Sequence, residues 1–316
     1  MQQQRIEYID TAKAIGIILV ILGHCHFVGT VFRLGIWIYS FHMPLFFIIS
    51  GMFIKPLDFK NGLNKYSMAY LKPYVVACLL MFILSLCLFY GLSKGHSPVI
   101  VLEGIAFGKG SQEWFGLFHD LPDVGPIWFL LALFWGGGQF YSIIKASTGK
   151  LFETILLCFS LFFLGYMTSK YVVLPLSFQA GLCSIPFLLI GDLLKNRTNM
   201  VSIMALKKSY IGTIMLVWLY AVLVMKDDLN MASCRYDEGV VRIPISILAT
   251  IVTLYACKQI NKKGIKLKWL GSNTLCILVG HQIFTFFCKE IAFDFAFLQK
   301  AFPDHYPCLL NSKYRL

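Results

Sequence analysis

Lys13 and His24 stand eleven positions apart in a stretch that is otherwise almost wholly apolar. On an α-helix eleven positions turn through about 1100°, within about 20° of three full turns, so both side chains share one face, roughly 16 Å apart along the axis. Asp10 lies one turn before Lys13 and can pair with it. Such a face carries a cation at one edge and an imidazole deeper in. Imidazole is the side chain best suited to take up a proton near neutral pH, and a dry surrounding lets small neighbours tune it. The chemistry on offer is proton abstraction by His24 beside a fixed positive charge.

Two further histidines lie in apolar runs. His42 belongs to Phe41-His-Met-Pro-Leu-Phe-Phe-Ile-Ile-Ser-Gly51, in which Pro44 should kink a helix and Ser50 and Gly51 should let helices approach closely. His281 follows Leu270-Gly-Ser-Asn-Thr-Leu275 by about two turns, with Ser272 or Asn273 as the natural helix cap. Trp128 opens another run, within Gly125-Pro-Ile-Trp-Phe-Leu130. Each has a plainer reading. Asp10 and Lys13 would be interfacial anchors, the histidines would bond to backbone, and Trp128 would sit in an aromatic belt.

The elements that must position these residues follow from composition. Of the 316 residues 58% are hydrophobic and only 14% are charged, against about 25% charged for a soluble domain. Those figures exclude disorder and a disulfide-stapled secreted module. Nine runs approach the roughly 20 apolar residues that cross a bilayer: 12–32, 35–54, 70–92, 126–144, 152–170, 177–194, 209–226, 240–258 and 273–293. The stretch 99–107 is apolar but too short to span, and suits a half-helix or an interfacial segment. The expected fold is an all-α, polytopic integral-membrane helical bundle of about nine transmembrane helices, one domain over 1–316. Ionisable residues inside such spans face the bundle interior or a water-filled cavity, so Lys13, His24, His42 and His281 mark the place to look for function.

Net charge is +12, which in a soluble protein would suggest nucleic acid. With the N-terminus in the cytoplasm, 17 of the 28 basic and 5 of the 16 acidic residues fall inside, so the inside carries the whole surplus and the outside balances. The charge is an orientation signal, and nucleic acid drops out. The basic inner loops also suit docking of an anionic cytosolic ligand. No cysteine or histidine spacing suits a metal.

The stretch Ile9-Asp10…Lys13…Leu19-Val20…Gly23-His24 resembles the first-span motif of the membrane acyltransferase 3 family, a basic residue, ten intervening residues and a histidine. Phe41 to Gly51 resembles its second-span signature, and Pro126-Ile-Trp-Phe-Leu130 and Leu270 to Leu275 with His281 resemble later landmarks, in order and in register. Within the family the chain is most similar to the fucose 4-O-acetylase-like, polysaccharide O-acetyltransferase branch. The resemblance implies a multi-pass enzyme of the bacterial inner membrane, moving an acetyl group from cytosolic acetyl-CoA to a hydroxyl of a cell-surface polysaccharide or a lipid-linked sugar precursor. No resident cofactor is expected from the resemblance. The family's basic residue maps onto Lys13, next to the donor's phosphates, and its essential histidine onto His24. Asp10 would orient Lys13, while His42, Ser50, Trp128, Asn273 and His281 would complete the cavity. Members usually have ten spans, so nine runs leave 294–316 as a short, atypical tail on the outside. The competing class is a proton-coupled secondary transporter, which intramembrane histidines and a broken helix also suit. The lack of an inverted internal repeat counts against it.

Overall fold

A chain this apolar can satisfy its backbone in lipid only by coiling or by closing a barrel. The computed structural model of the protein takes the first course. It describes residues 6–24, 33–91, 97–108, 110, 123–196, 207–226, 229–236, 239–264 and 267–301, and among these no strand occurs beyond one isolated bridge between Asn230 and Arg235. The helices are α1 (Glu7–Gly23), α2 (Leu34–Tyr39), α3 (His42–Gly51), α4 (Phe59–Tyr90), α5 (Pro98–Phe107), α6 (Gly125–Ser147), α7 (Leu151–Thr168), α8 (Phe178–Asn196), α9 (Lys208–Val224), α10 (Gly239–Lys262), α11 (Lys268–Ser272) and α12 (Thr274–Ala301). Among the described residues each of the nine apolar runs contains helix. Six segments among them are long and apolar enough to cross a membrane: α2 with α3, α4, α6, α7, α8 and α10. The protein is a multi-pass helical membrane protein. Residues 98–107 form a ten-residue helix, too short to span, as their length required.

Two of the boundaries that differ from the sequence reading bear on the site. Helix α1 begins at Glu7 and ends at Gly23, so His24 follows its last turn, and residues 25–32 of the expected span lie outside the described residues. Glu7 and Asp10 in the first turn suit the positive end of the helix dipole and draw the start forward. The second run breaks at Ser40–Phe41, ahead of Pro44, and Phe41 leaves helical geometry at φ −147° and ψ −18°. Pro44 falls in the first turn of α3, where its missing N–H has no helical partner to lose.

That break is held by side chains from distant elements. Trp218 of α9 donates its indole N–H to the Ser40 hydroxyl (3.0 Å), and Ser246 of α10 donates to the Ser40 carbonyl (2.6 Å). Trp37 stacks on Trp218 with ring centroids 5.8 Å apart. Arg33 donates to the Val222 and Met225 carbonyls, capping the negative end of α9. Irregular backbone at membrane depth is tolerable where protein satisfies it in this way. At the Lys145 end of α6, the Lys145 ammonium pairs with Asp192 (2.5 Å) and donates to the Ile54 carbonyl (3.1 Å), while Tyr141 donates to the other Asp192 oxygen (3.0 Å). This ties α6 and α8 to the chain just beyond α3.

The helices α3 and α8 meet backbone to backbone, because a β-carbon at Gly191 would overlap the Ile48 carbonyl and one at Gly51 would overlap Leu188. The expected closeness at Ser50-Gly51 is therefore real, and it rests on Gly51 and Gly191. Gly191→Ala should cost about 1–3 kcal/mol of stability by forcing the pair apart. Gly212→Ala, in α9 with nothing within 4 Å of a new β-carbon, should cost nothing. Thermal unfolding of both variants in detergent checks the contrast.

Candidate active site

Helix α1 sets the site. Its residues Lys13, Ile17 and Val20, at i, i+4 and i+7, line one cavity of about 190 Å³. The next position on that stripe is His24. Opposite lie Met43, Phe46, Ile49 and Ser50 of α3, together with Phe129, Leu130 and Leu133 of α6. The third wall is Thr274, Leu275 and Leu278 of α12, and Tyr70 of α4 and Pro126 complete the lining. Ile17, Val20 and Leu278 are buried together, which fixes α1 against α12. Gly16 lacks the β-carbon that would meet the Phe46 ring at 2.8 Å, so that ring can turn onto α1. Phe46 meets Phe129 edge-on at 5.7 Å. The walls are apolar, with Lys13, Ser50, Tyr70 and Thr274 supplying the polar groups.

The stripes of α1 and α12 converge. His24, exposed at the end of α1, lies 5.6 Å from His281 between ring centroids. His281 lies three positions after Leu278, so it too continues a cavity-lining face. Its Nε2 is buried and has no hydrogen-bond partner among the described residues. An unmet buried polar atom costs about 1–3 kcal/mol, which a bound group can recover. Two imidazoles, one exposed, thus stand on the two helix faces that continue an apolar slot, with a lysine toward its other end. Such an arrangement can accept and return a proton beside a group threaded through the slot.

The other expected site residues divide. Lys13 and Ser50 line the cavity. Asp10 is buried one turn before Lys13, its backbone so close to Gly271 of α11 that no β-carbon fits there. His42 is buried one turn before the cavity-lining Phe46 and on the same face of α3, and its Nδ1–H donates to the Ile38 carbonyl (2.9 Å) at the helix break. The Tyr39 ring meets it edge-on at 4.9 Å, and the Tyr39 hydroxyl donates to the Gly23 carbonyl (3.1 Å) at the end of α1 that carries His24. Trp128 is buried behind that lining, against Phe47 (6.2 Å) and Gly110. Asn273 sits between α11 and α12, and its amide donates back to the Trp269 carbonyl (2.8 Å) instead of capping α12. Its neighbour Thr274 is the one that faces the cavity.

Three residues escaped the sequence reading. Tyr70 reads as one more interfacial aromatic, and Thr274 as a helix start. Gln282 had a usable signal, an uncharged but strongly polar side chain deep in an apolar run. It is only 3% exposed, and its Oε1 has no partner among the described residues.

A family model described as an acyltransferase domain matches residues 6–310, nearly the whole chain. No curated protein and no solved structure matches.

Proposed function

Starting from the fact that the chain belongs to the acyltransferase 3 family and is a membrane acyltransferase, we propose that it moves an acetyl group from acetyl-CoA to a sugar hydroxyl. One observation carries this reading: the cavity stripe Lys13, Ile17, Val20 leads along α1 to the His24–His281 pair. At about 190 Å³ the cavity is little larger than the roughly 150 Å³ that encloses one benzene. It suits a slender chain such as the pantetheine arm, and leaves the nucleotide at the Lys13 mouth. Lys13 meets the donor's phosphates there, and Asp10 orients Lys13. The basic excess at that end supports a cytoplasmic mouth, where it steers the polyanionic donor.

At the far end His24 removes the acceptor hydroxyl proton as the oxygen attacks the thioester carbonyl carbon. The tetrahedral intermediate then collapses, the C–S bond breaks, and the CoA thiolate recovers the proton from the imidazolium. His281 stands where it can donate to the developing oxyanion through Nε2. Direct transfer is favoured over an acyl-enzyme, since among the described residues the slot is lined by one serine, Ser50, and by no cysteine. The acceptor is a cell-surface polysaccharide or its lipid-linked precursor, and the protein resides in the bacterial inner membrane.

The test is thioester turnover by the purified protein in vesicles. Free CoA thiol should appear from acetyl-CoA in step with an acetyl ester on a glycan acceptor. Substrate counterflow across the vesicle without ester formation would replace the enzyme with a transporter.

A further inference from the structure

Gln282 follows His281 on α12, four residues beyond the cavity-lining Leu278 and so on the same face. Its carboxamide reaches across to Gly125 at the start of α6, so closely that a β-carbon there would overlap Oε1. Gly125 takes φ +55°, a conformation glycine alone adopts without strain. The backbone that Oε1 faces has no donor to give. The Gly125 N–H is already donated to the Asp123 carboxylate (3.0 Å), and Pro126, which lines the cavity, has no N–H. Among the described residues a buried carbonyl oxygen is therefore left unmet one residue along α12 from the His281 Nε2, which is unmet as well. On a helix these two positions flank the face of the cavity-lining Leu278, and together they call for a ligand that offers a polar hydrogen to Oε1 and an acceptor to Nε2.

We propose that Gln282 is an acceptor-recognition residue, whose Oε1 accepts a hydrogen bond from a second hydroxyl of the acceptor while His24 takes the proton of the first. The assignment rests on the acetyl-transfer reading and sharpens it. The acceptor class becomes a polyol with neighbouring hydroxyls, and a simple alcohol is a poor substrate. A buried polar group discriminates against the analogue that leaves it unpaired.

Two probes isolate the second hydroxyl, trans-1,2-cyclohexanediol and cyclohexanol, each supplied with acetyl-CoA to the full-length protein in vesicles. The native protein should esterify the diol with kcat/KM at least about tenfold above the mono-alcohol, the worth of one hydrogen bond. Gln282→Met keeps the unbranched shape and loses the oxygen, and it should bring the two acceptors to parity with the KM for acetyl-CoA unchanged. Gln282→Glu restores an acceptor atom on the same stem and should recover the preference. Packing damage alone would slow both alcohols alike and leave their ratio intact, which overturns the assignment. So would a raised KM for acetyl-CoA with the diol preference retained, since the hydrogen bond would then belong to the pantetheine amide. Equal use of both alcohols by the native protein overturns this inference alone. Absence of any ester overturns the acetyl-transfer reading with it.

Discussion

His24→Ala should lower acetyl transfer by 10²- to 10⁴-fold while the protein still inserts and folds. The magnitude is that of a positioned general base, about 3–5 kcal/mol of transition-state stabilisation. The fold should be spared because His24 is exposed and lies beyond the last turn of α1, where a substitution typically changes stability by less than about 0.5 kcal/mol. The loss should fall on kcat, because an interaction made only as the proton moves does not bind the ground state. His281→Phe keeps a ring of similar size and removes the orphaned Nε2. It should cost about 10²- to 10³-fold in kcat, the usual loss when one oxyanion donor is removed. The double variant should fall well short of the product of the two losses, since the histidines act on one transition state. Single-turnover kinetics with detergent-purified protein, alongside thermal unfolding, separates these outcomes. Full turnover in His24→Ala would end the general-base mechanism.

The two halves of this site differ in how far the sequence disclosed them. Lys13, Ile17, Val20 and His24 were legible as one stripe because helical periodicity is local and rests on spacing alone. The pairing of His24 with His281 was not, since the two stand 257 positions apart and only the packing of α1 on α12 brings them together. Pro44 announced a break in the second run, yet the chain departs from helix at Ser40–Phe41. The cause is tertiary: Trp218 and Ser246 hold Ser40, and Arg33 holds the end of α9. His42 was marked by its depth in an apolar run, and it stands one turn before Phe46 with a ring nitrogen on the Ile38 carbonyl across the break. Gln282 is the converse, a residue whose role depends on Gly125 and Asp123 leaving no backbone donor for it.

At the opposite end of the slot, Lys13→Met should raise the KM for acetyl-CoA by roughly tenfold to a hundredfold and leave kcat nearly unchanged. A charge-assisted contact to phosphate is worth about 1.5–3 kcal/mol, and 1.36 kcal/mol corresponds to one decade. The effect belongs to KM because Lys13 lies about 16 Å along α1 from His24, so its contact is the same before and during the chemical step. Methionine keeps the length and apolar stem of the side chain, so the wall that Lys13 shares with Ile17 and Val20 is conserved. Lys13→Arg should retain most of the affinity, since guanidinium binds phosphate at least as well. Acetyl-pantetheine, which has the thioester arm but no nucleotide, provides the decisive comparison. With that donor the native protein and Lys13→Met should differ by less than twofold, because the charge that Lys13 meets is gone. The native preference for acetyl-CoA over acetyl-pantetheine should also shrink as salt rises, and most of that salt dependence should vanish in Lys13→Met. A variant equally impaired toward both donors would instead assign Lys13 to the shape of the slot, and the phosphates would then have to be met by the loop lysines alone.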